Sequence, residues 1–120
     1  MIYSDLFSIP LGKAVCYSGF REGQMPGGVI PTYEEIKEDL LILQPQWQSL
    51  RLYDCDVHAE MVLEVIRNEG MNFDVMLGAY IMAEKNNSEC PWGGSYPNSE
   101  LAINKKLNQK RIEKLIALAN

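Results

Sequence analysis

The chain has 120 residues, 47% of them apolar, with 16 acidic against 11 basic side chains and a formal net charge of −5. That length allows one domain or a piece of one, and the composition is that of a globular fold rather than a disordered segment. The acidic balance, with Lys and Arg gathered mainly in the last helical stretch, argues against a nucleic-acid partner held by phosphate neutralisation and favours a neutral ligand over a polyanion.

Residues 1–12 read as a lead-in. They contain Asp5 and Pro10 and no basic start, so they do not have the pattern of a signal peptide. No run in the chain approaches the roughly 18 apolar residues of a membrane span, so no membrane partner is expected. The cysteines Cys16, Cys55 and Cys90 are odd in number, widely spaced and without a CxxC. They are expected to be unpaired thiols of a reducing compartment, which places the protein in the cytoplasm.

One domain is expected over residues 13–120. Residues 14–18 form a first strand, followed by a Gly/Pro-rich loop over 19–31 that includes Pro26-Gly27-Gly28. Thr32 with Glu35 three residues on is a capping box, and Ile36, Leu40, Leu43 and Trp47 follow at helical spacing until Pro45 forces a break. Residues 50–53 are a second strand. Asp56 offers a cap to a second helix, whose Ala59, Val62, Leu63 and Ile66 make one buried stripe, and Gly70 suits the position after its last turn. Residues 73–80 are a third strand, and a second long loop, 84–98, contains Cys90-Pro91-Trp92-Gly93-Gly94. Asn98 or Ser99 can cap a third helix with an apolar stripe of Leu107, Ile112, Leu115, Ile116 and Ala119.

The order βαβαβα, with short helix-to-strand links and long loops after the first and third strands, predicts an α/β fold of parallel strands working at their carboxyl ends. Pattern alone leaves two closed solutions: a small open sheet, and the first three βα units of a (β/α)₈ TIM-type barrel, which takes about 250 residues when whole.

Each apolar run reaches a tyrosine at or near its end. Alternation puts Val15 with Tyr17, Arg51 with Tyr53, and Met76 with Gly78 and Tyr80. Ala14, Cys16, Leu50, Leu52, Val75, Leu77 and Ala79 then form a uniformly apolar opposite face for the helices. On this reading Tyr17, Tyr53 and Tyr80 line one face with Arg51, where a parallel sheet would hold a polar ligand.

Arg51, Tyr53 and Asp54 form the densest polar cluster at a strand end. A guanidinium beside phenol and carboxylate groups can grip sugar hydroxyls. Equally, Arg51 and Asp54 can be a structural pair, with Asp54 capping the following turn beside Asp56. Tyr80 is either part of the ligand row or a core ring. Arg21 and Glu22 read as a solvated loop pair. Trp92 and Tyr96 on the third loop are either rings for stacking on a sugar face or pins that hold the loop down. His58, the lone histidine, is expected on exposed helix surface, with no metal site around it. No GxGxxG or GxxxxGK[ST] follows the first strand, and no cofactor is expected. Glycosidase chemistry needs two opposed carboxyl groups, about 5 Å apart if retaining. Glu22, Asp54, Asp56 and Glu84, the acids near strand ends, show no such setting.

The segments 16–24 (CYSGFREGQ), 33–40 (YEEIKEDL), 50–54 (LRLYD) and 76–80 (MLGAY) together resemble the amino-terminal part of bacterial glycoside hydrolase family 17-like proteins, relatives of β-1,3-glucanases. The resemblance runs from about Lys13 to Asn120. It implies a (β/α)₈ barrel and retaining hydrolysis, or transglycosylation, of β-1,3-glucan. It implies sugar-cleft roles for Tyr17 and Tyr53 and a barrel-interior role for Arg51. The family's general acid and nucleophile are glutamates at the fourth and seventh strand ends, so no catalytic residue is expected in this chain, which alone should be inactive. The uncovered edge of the third strand is expected to invite self-association.

Overall fold

A computed structural model describes residues 12–120, apart from Trp92. The expectations for Trp92 and for the first eleven residues of the lead-in lie outside the described residues. The elements are β1 (Ala14–Cys16), α1 (Tyr33–Leu43), β2 (Ser49–Arg51), α2 (Val57–Asn68), β3 (Asp74–Met76) and α3 (Asn98–Ala119). The strands are parallel, in the order β1-β2-β3. Each is shorter than the sequence predicts, because regular pairing covers only three residues of each strand. Single bonds from Tyr17 N–H to the Arg51 carbonyl and from Leu52 N–H to the Met76 carbonyl carry the pairing one step further.

The predicted caps form. Thr32 Oγ1 accepts from Glu35 N–H while Glu35 reaches back to Thr32 N–H, satisfying two donors that the start of α1 would leave open. Asp56 accepts from Ala59 N–H at 3.0 Å and starts α2. Gly70 follows α2 with φ +62°, a conformation a side chain would strain. The third helix departs from expectation. It begins after Pro97 with no side-chain cap, so Asn98 and Ser99 lie inside its first turn.

Register sets the faces. Val15 pairs with Leu50 and Leu50 with Val75, so these three share a side. Tyr17, Leu52 and Leu77 continue it. Against this side pack Ile36 and Leu40 of α1 and Ala59, Val62 and Val65 of α2, giving one core. Leu115 and Leu118 of α3 approach the same side over Phe73, Val75 and Leu77, across an unfilled groove of about 560 Å³ shared with Leu63 and Ile66. All three helices therefore lie on one face. The other face carries Ala14, Cys16, Arg51, Asp74 and Met76, all exposed, with Met76 at 66%.

This register corrects the predicted row. Tyr17 lies on the helix-covered side, not with Arg51, and is only 7% exposed. Cys16 takes the open side instead. Both alternating sets of β1 are apolar, so nothing within that strand distinguishes them. The pairing of Val15 with Leu50 does.

The third helix is held by polar contacts rather than by the predicted apolar stripe. Asn108, 1% exposed, accepts from Met82 N–H at 2.9 Å and donates to the Met82 carbonyl at 2.8 Å and to Glu84 at 3.1 Å. Asn104 donates to the Ala83 carbonyl, Arg111 to the Tyr80 carbonyl, and Lys114 pairs with Glu60 of α2 at 2.8 Å. These amides clamp the chain that leaves β3, much as a neighbouring strand would. Leu107, Ile112 and Ile116 are exposed.

Candidate functional site

The loops at the carboxyl ends of the strands enclose a cleft of about 430 Å³. Its walls include Tyr17 and Phe20 from β1 and its loop, Leu52, Tyr53 and Asp54 from the end of β2, His58 at the start of α2, and Tyr80 beyond β3. Four of the residues singled out in the sequence meet here: Tyr17, Tyr53, Asp54 and Tyr80. Arg51 does not line the cleft. It lies on the open sheet face, its guanidinium 5.6 Å from the centre of the Tyr53 ring, a distance at which a cation and an aromatic face attract.

The tyrosines play unequal parts. The Tyr17 hydroxyl donates to Asp39 of α1 at 2.9 Å. Burial pushes its phenol far up, and the neighbouring Asp39 carboxylate adds to the shift. Tyr17 is thus a floor residue whose polar end is committed to α1. Tyr53 and Tyr80 are 57% and 69% exposed, so their rings are available at the rim. The phenol of Tyr53 is raised chiefly by the neighbouring Cys16 side chain.

Asp54 joins two walls. Its Oδ1 accepts from its neighbour Cys55 N–H at 2.9 Å and from Tyr80 N–H at 3.0 Å. The end of β2 thereby holds the segment after β3, and Arg111 holds the Tyr80 carbonyl from the other side. Gly78 makes this convergence possible, since a Cβ there would lie 2.9 Å from the Tyr53 carbonyl oxygen. An Arg51–Asp54 pair, the structural alternative for these two residues, is not among the ion pairs of the described residues.

The opposite wall rests on two residues whose roles differ from expectation. His58 is 5% exposed rather than on the helix surface. Its Nε2 accepts from Gly19 N–H at 3.2 Å, and its ring stacks on Phe20 at 4.7 Å. Arg21 pairs not with Glu22 but with α1. It donates to Asp39 at 3.0 Å, Glu38 at 3.1 Å and the Glu35 carbonyl at 3.2 Å, and lies 3.7 Å from the Glu35 carboxylate. Tyr96 holds its own loop, exchanging two backbone hydrogen bonds with the Asn86 side chain. Sequence reasoning missed Phe20, Pro26 and His58 as wall residues. The available signal was an aromatic ring three residues past Tyr17 and a histidine two past a helix cap.

The two acids of the cleft are engaged: Asp54 with two backbone N–H groups, Asp56 with the start of α2. Among the described residues, no three His, Cys, Asp or Glu side chains come together in a way that could hold a metal ion. No helix among them is long and apolar enough to cross a membrane. The cleft offers aromatic faces and a few fixed polar groups, which suits holding a neutral polyhydroxyl ligand. Comparison of the chain with protein-family models, with curated proteins and with solved structures gave no match.

Proposed function

We propose that this cleft is one wall of an oligosaccharide site, and that the chain is a segment of a family 17-like glycoside hydrolase acting on β-1,3-glucan. In the full-length protein the reaction would be retaining hydrolysis or transglycosylation, with this segment supplying cleft residues and not the catalytic glutamates. The observation that carries the reading is that Tyr53 and Tyr80, both exposed, border one cleft at the carboxyl ends of parallel strands. Asp54, Asp56 and Glu22 would not supply the acid or nucleophile; the first two are occupied by backbone donors.

Support for a partial barrel comes from the sheet. Consecutive strands lie side by side, α1 and α2 pack on one face and α3 borders that same face across a groove, as in a singly wound barrel, whereas an open doubly wound sheet carries helices on both. Parallel sheets are ordinarily covered on both faces, so the open side bearing Arg51 and Met76 is what a barrel interior would enclose. A reducing, cytoplasmic setting for its three thiols belongs to the same proposal.

The test is an NMR titration with laminari-oligosaccharides, using a cello-oligosaccharide as control, beside an assay of laminarin hydrolysis. Saturable shifts at Tyr53, Tyr80 and Phe20 without turnover are expected. Unmoved resonances would remove the binding claim, and turnover abolished by Glu22→Gln would overturn the non-catalytic role. The open face and the unpaired edge of β3 favour a second reading, a self-assembling α/β module. A concentration-independent monomer in sedimentation would dismiss it.

A further inference from the structure

The loop between β1 and α1 supplies Phe20 and Pro26 to the cleft, and it meets α2 through His58. Gly19 N–H can bond to Nε2 only while that nitrogen is unprotonated, which fixes the proton on Nδ1. The fit is close: a Cβ on Gly19 would lie 2.4 Å from the Tyr17 hydroxyl oxygen and 3.2 Å from His58 Nε2. The contact is also buried at both ends, since Gly19 and His58 are each shielded from water.

We propose that His58 is a proton-operated latch. As a neutral imidazole it holds Gly19 and Phe20 against α2, and when protonated it releases them and loosens that wall of the cleft. A proton on Nε2 turns the acceptor into a donor facing the Gly19 donor, so the bond is lost and two N–H groups confront each other in a buried place. The charge would also sit in the first turn of α2, where the helix already presents partial positive charge.

The groups facing His58 are Asp56 at the start of its own helix, Asp39 of α1, Tyr17 at the end of β1, and Asp54 across the cleft. Arg21 lies behind, joined to Asp39. Asp56 and Asp39 favour the charged ring, but desolvation by burial outweighs them and sets the imidazole below its usual range. The latch is therefore fully closed above the ordinary histidine pKa of about 6.5, and opens as pH falls through the lower value of the folded protein. Release should stay local, because Arg21 continues to hold Glu38 and Asp39.

The free protein tests this without any sugar, so the outcome is independent of the oligosaccharide reading. The His58 ring and the Gly19 and Phe20 amides are followed by NMR from pH 8 to pH 4.5. The expected result is an Nδ1–H tautomer at high pH and one midpoint, below 6.5, shared by all three sites. Across it, Gly19 protection against exchange should fall about tenfold, the equivalent of one net hydrogen bond. In His58→Gln the Gly19 and Phe20 amides should show no such step. The latch is overturned if the His58 midpoint is at or above 6.5, if Gly19 and Phe20 do not follow it, or if core amides of Leu50 and Val62 open at the same pH. Should His58→Gln fail to fold, the shared midpoint in the unmodified protein decides alone.

Discussion

Replacing Asn108 by Ala tests whether α3 is docked by side-chain amides. The change removes three hydrogen bonds and leaves the Met82 N–H and carbonyl without their partner. An orphaned buried polar group costs roughly 1–3 kcal/mol. Met82 is only half-buried and Glu84 is exposed, so water recovers part of this. Alanine also returns about 0.5 kcal/mol of helix propensity. A net loss of about 2 kcal/mol follows, a sizeable fraction of the 5–15 kcal/mol that holds a typical domain. With a urea m-value of about 1–2 kcal/mol/M, the unfolding midpoint should fall by about 1–2 M. Asn108→Asp is the discriminating companion. It keeps the acceptor for Met82 N–H but sets an oxygen against the Met82 carbonyl and the Glu84 carboxylate, so it should be at least as damaging as Ala. Circular dichroism gives the midpoints, and hydrogen exchange should show first loss at Met82–Glu84 and in α3. An Ala variant within about 0.5 kcal/mol of the parent, or an Asp variant as stable as the parent, would refute the docking argument.

Tyr53→Ala and Tyr80→Ala should each weaken laminari-oligosaccharide binding by roughly tenfold, the worth of about 1.4 kcal/mol, with unfolding midpoints nearly unchanged because both rings are exposed; calorimetric titration checks this. Asp54→Ala should free the Tyr80 segment, seen as faster amide exchange at Tyr80, whereas Asp54→Asn keeps an acceptor and should preserve most of the protection. Tyr17→Phe should cost about 1 kcal/mol in urea unfolding, the ordinary value of one hydrogen bond, since Arg21 still satisfies Asp39. Gly19→Ala should disrupt the Tyr17–His58 contact at every pH, giving a Phe20 environment at pH 7.5 that no longer responds to acid.

Much of the frame was legible because single residues carry it. Thr32 with Glu35, Asp56 and Gly70 each satisfy a local requirement of a helix end, and local requirements are readable from neighbours in sequence. The faces of β2 and β3 were legible for a related reason: Arg51 alternates with Leu50, and Asp74 with Val75. Tyr17 was misassigned because β1 has no polar residue to break the symmetry, and its side is decided by a partner more than thirty residues away. His58 and Phe20 were hidden by the same distance, since only folding brings α2 under the first loop. The asparagines of α3 ran against the usual rule that apolar residues face inward. Their partners are mainly bare backbone groups of Met82 and Ala83, which no side-chain pattern announces.

The anchoring of Tyr80 has a mechanical consequence. Because Asp54 and Arg111 grip the Tyr80 backbone, that ring moves with β2 and α3 rather than swinging freely from β3. Tyr53 and Tyr80 thus belong to a single rigid jaw. Phe20 and Pro26 belong to the facing wall, tied to α2 through the Gly19–His58 bond and to α1 through Arg21. The two walls are anchored to different elements, so the gap between Phe20 and Tyr53 sets the thickness of what the cleft can hold.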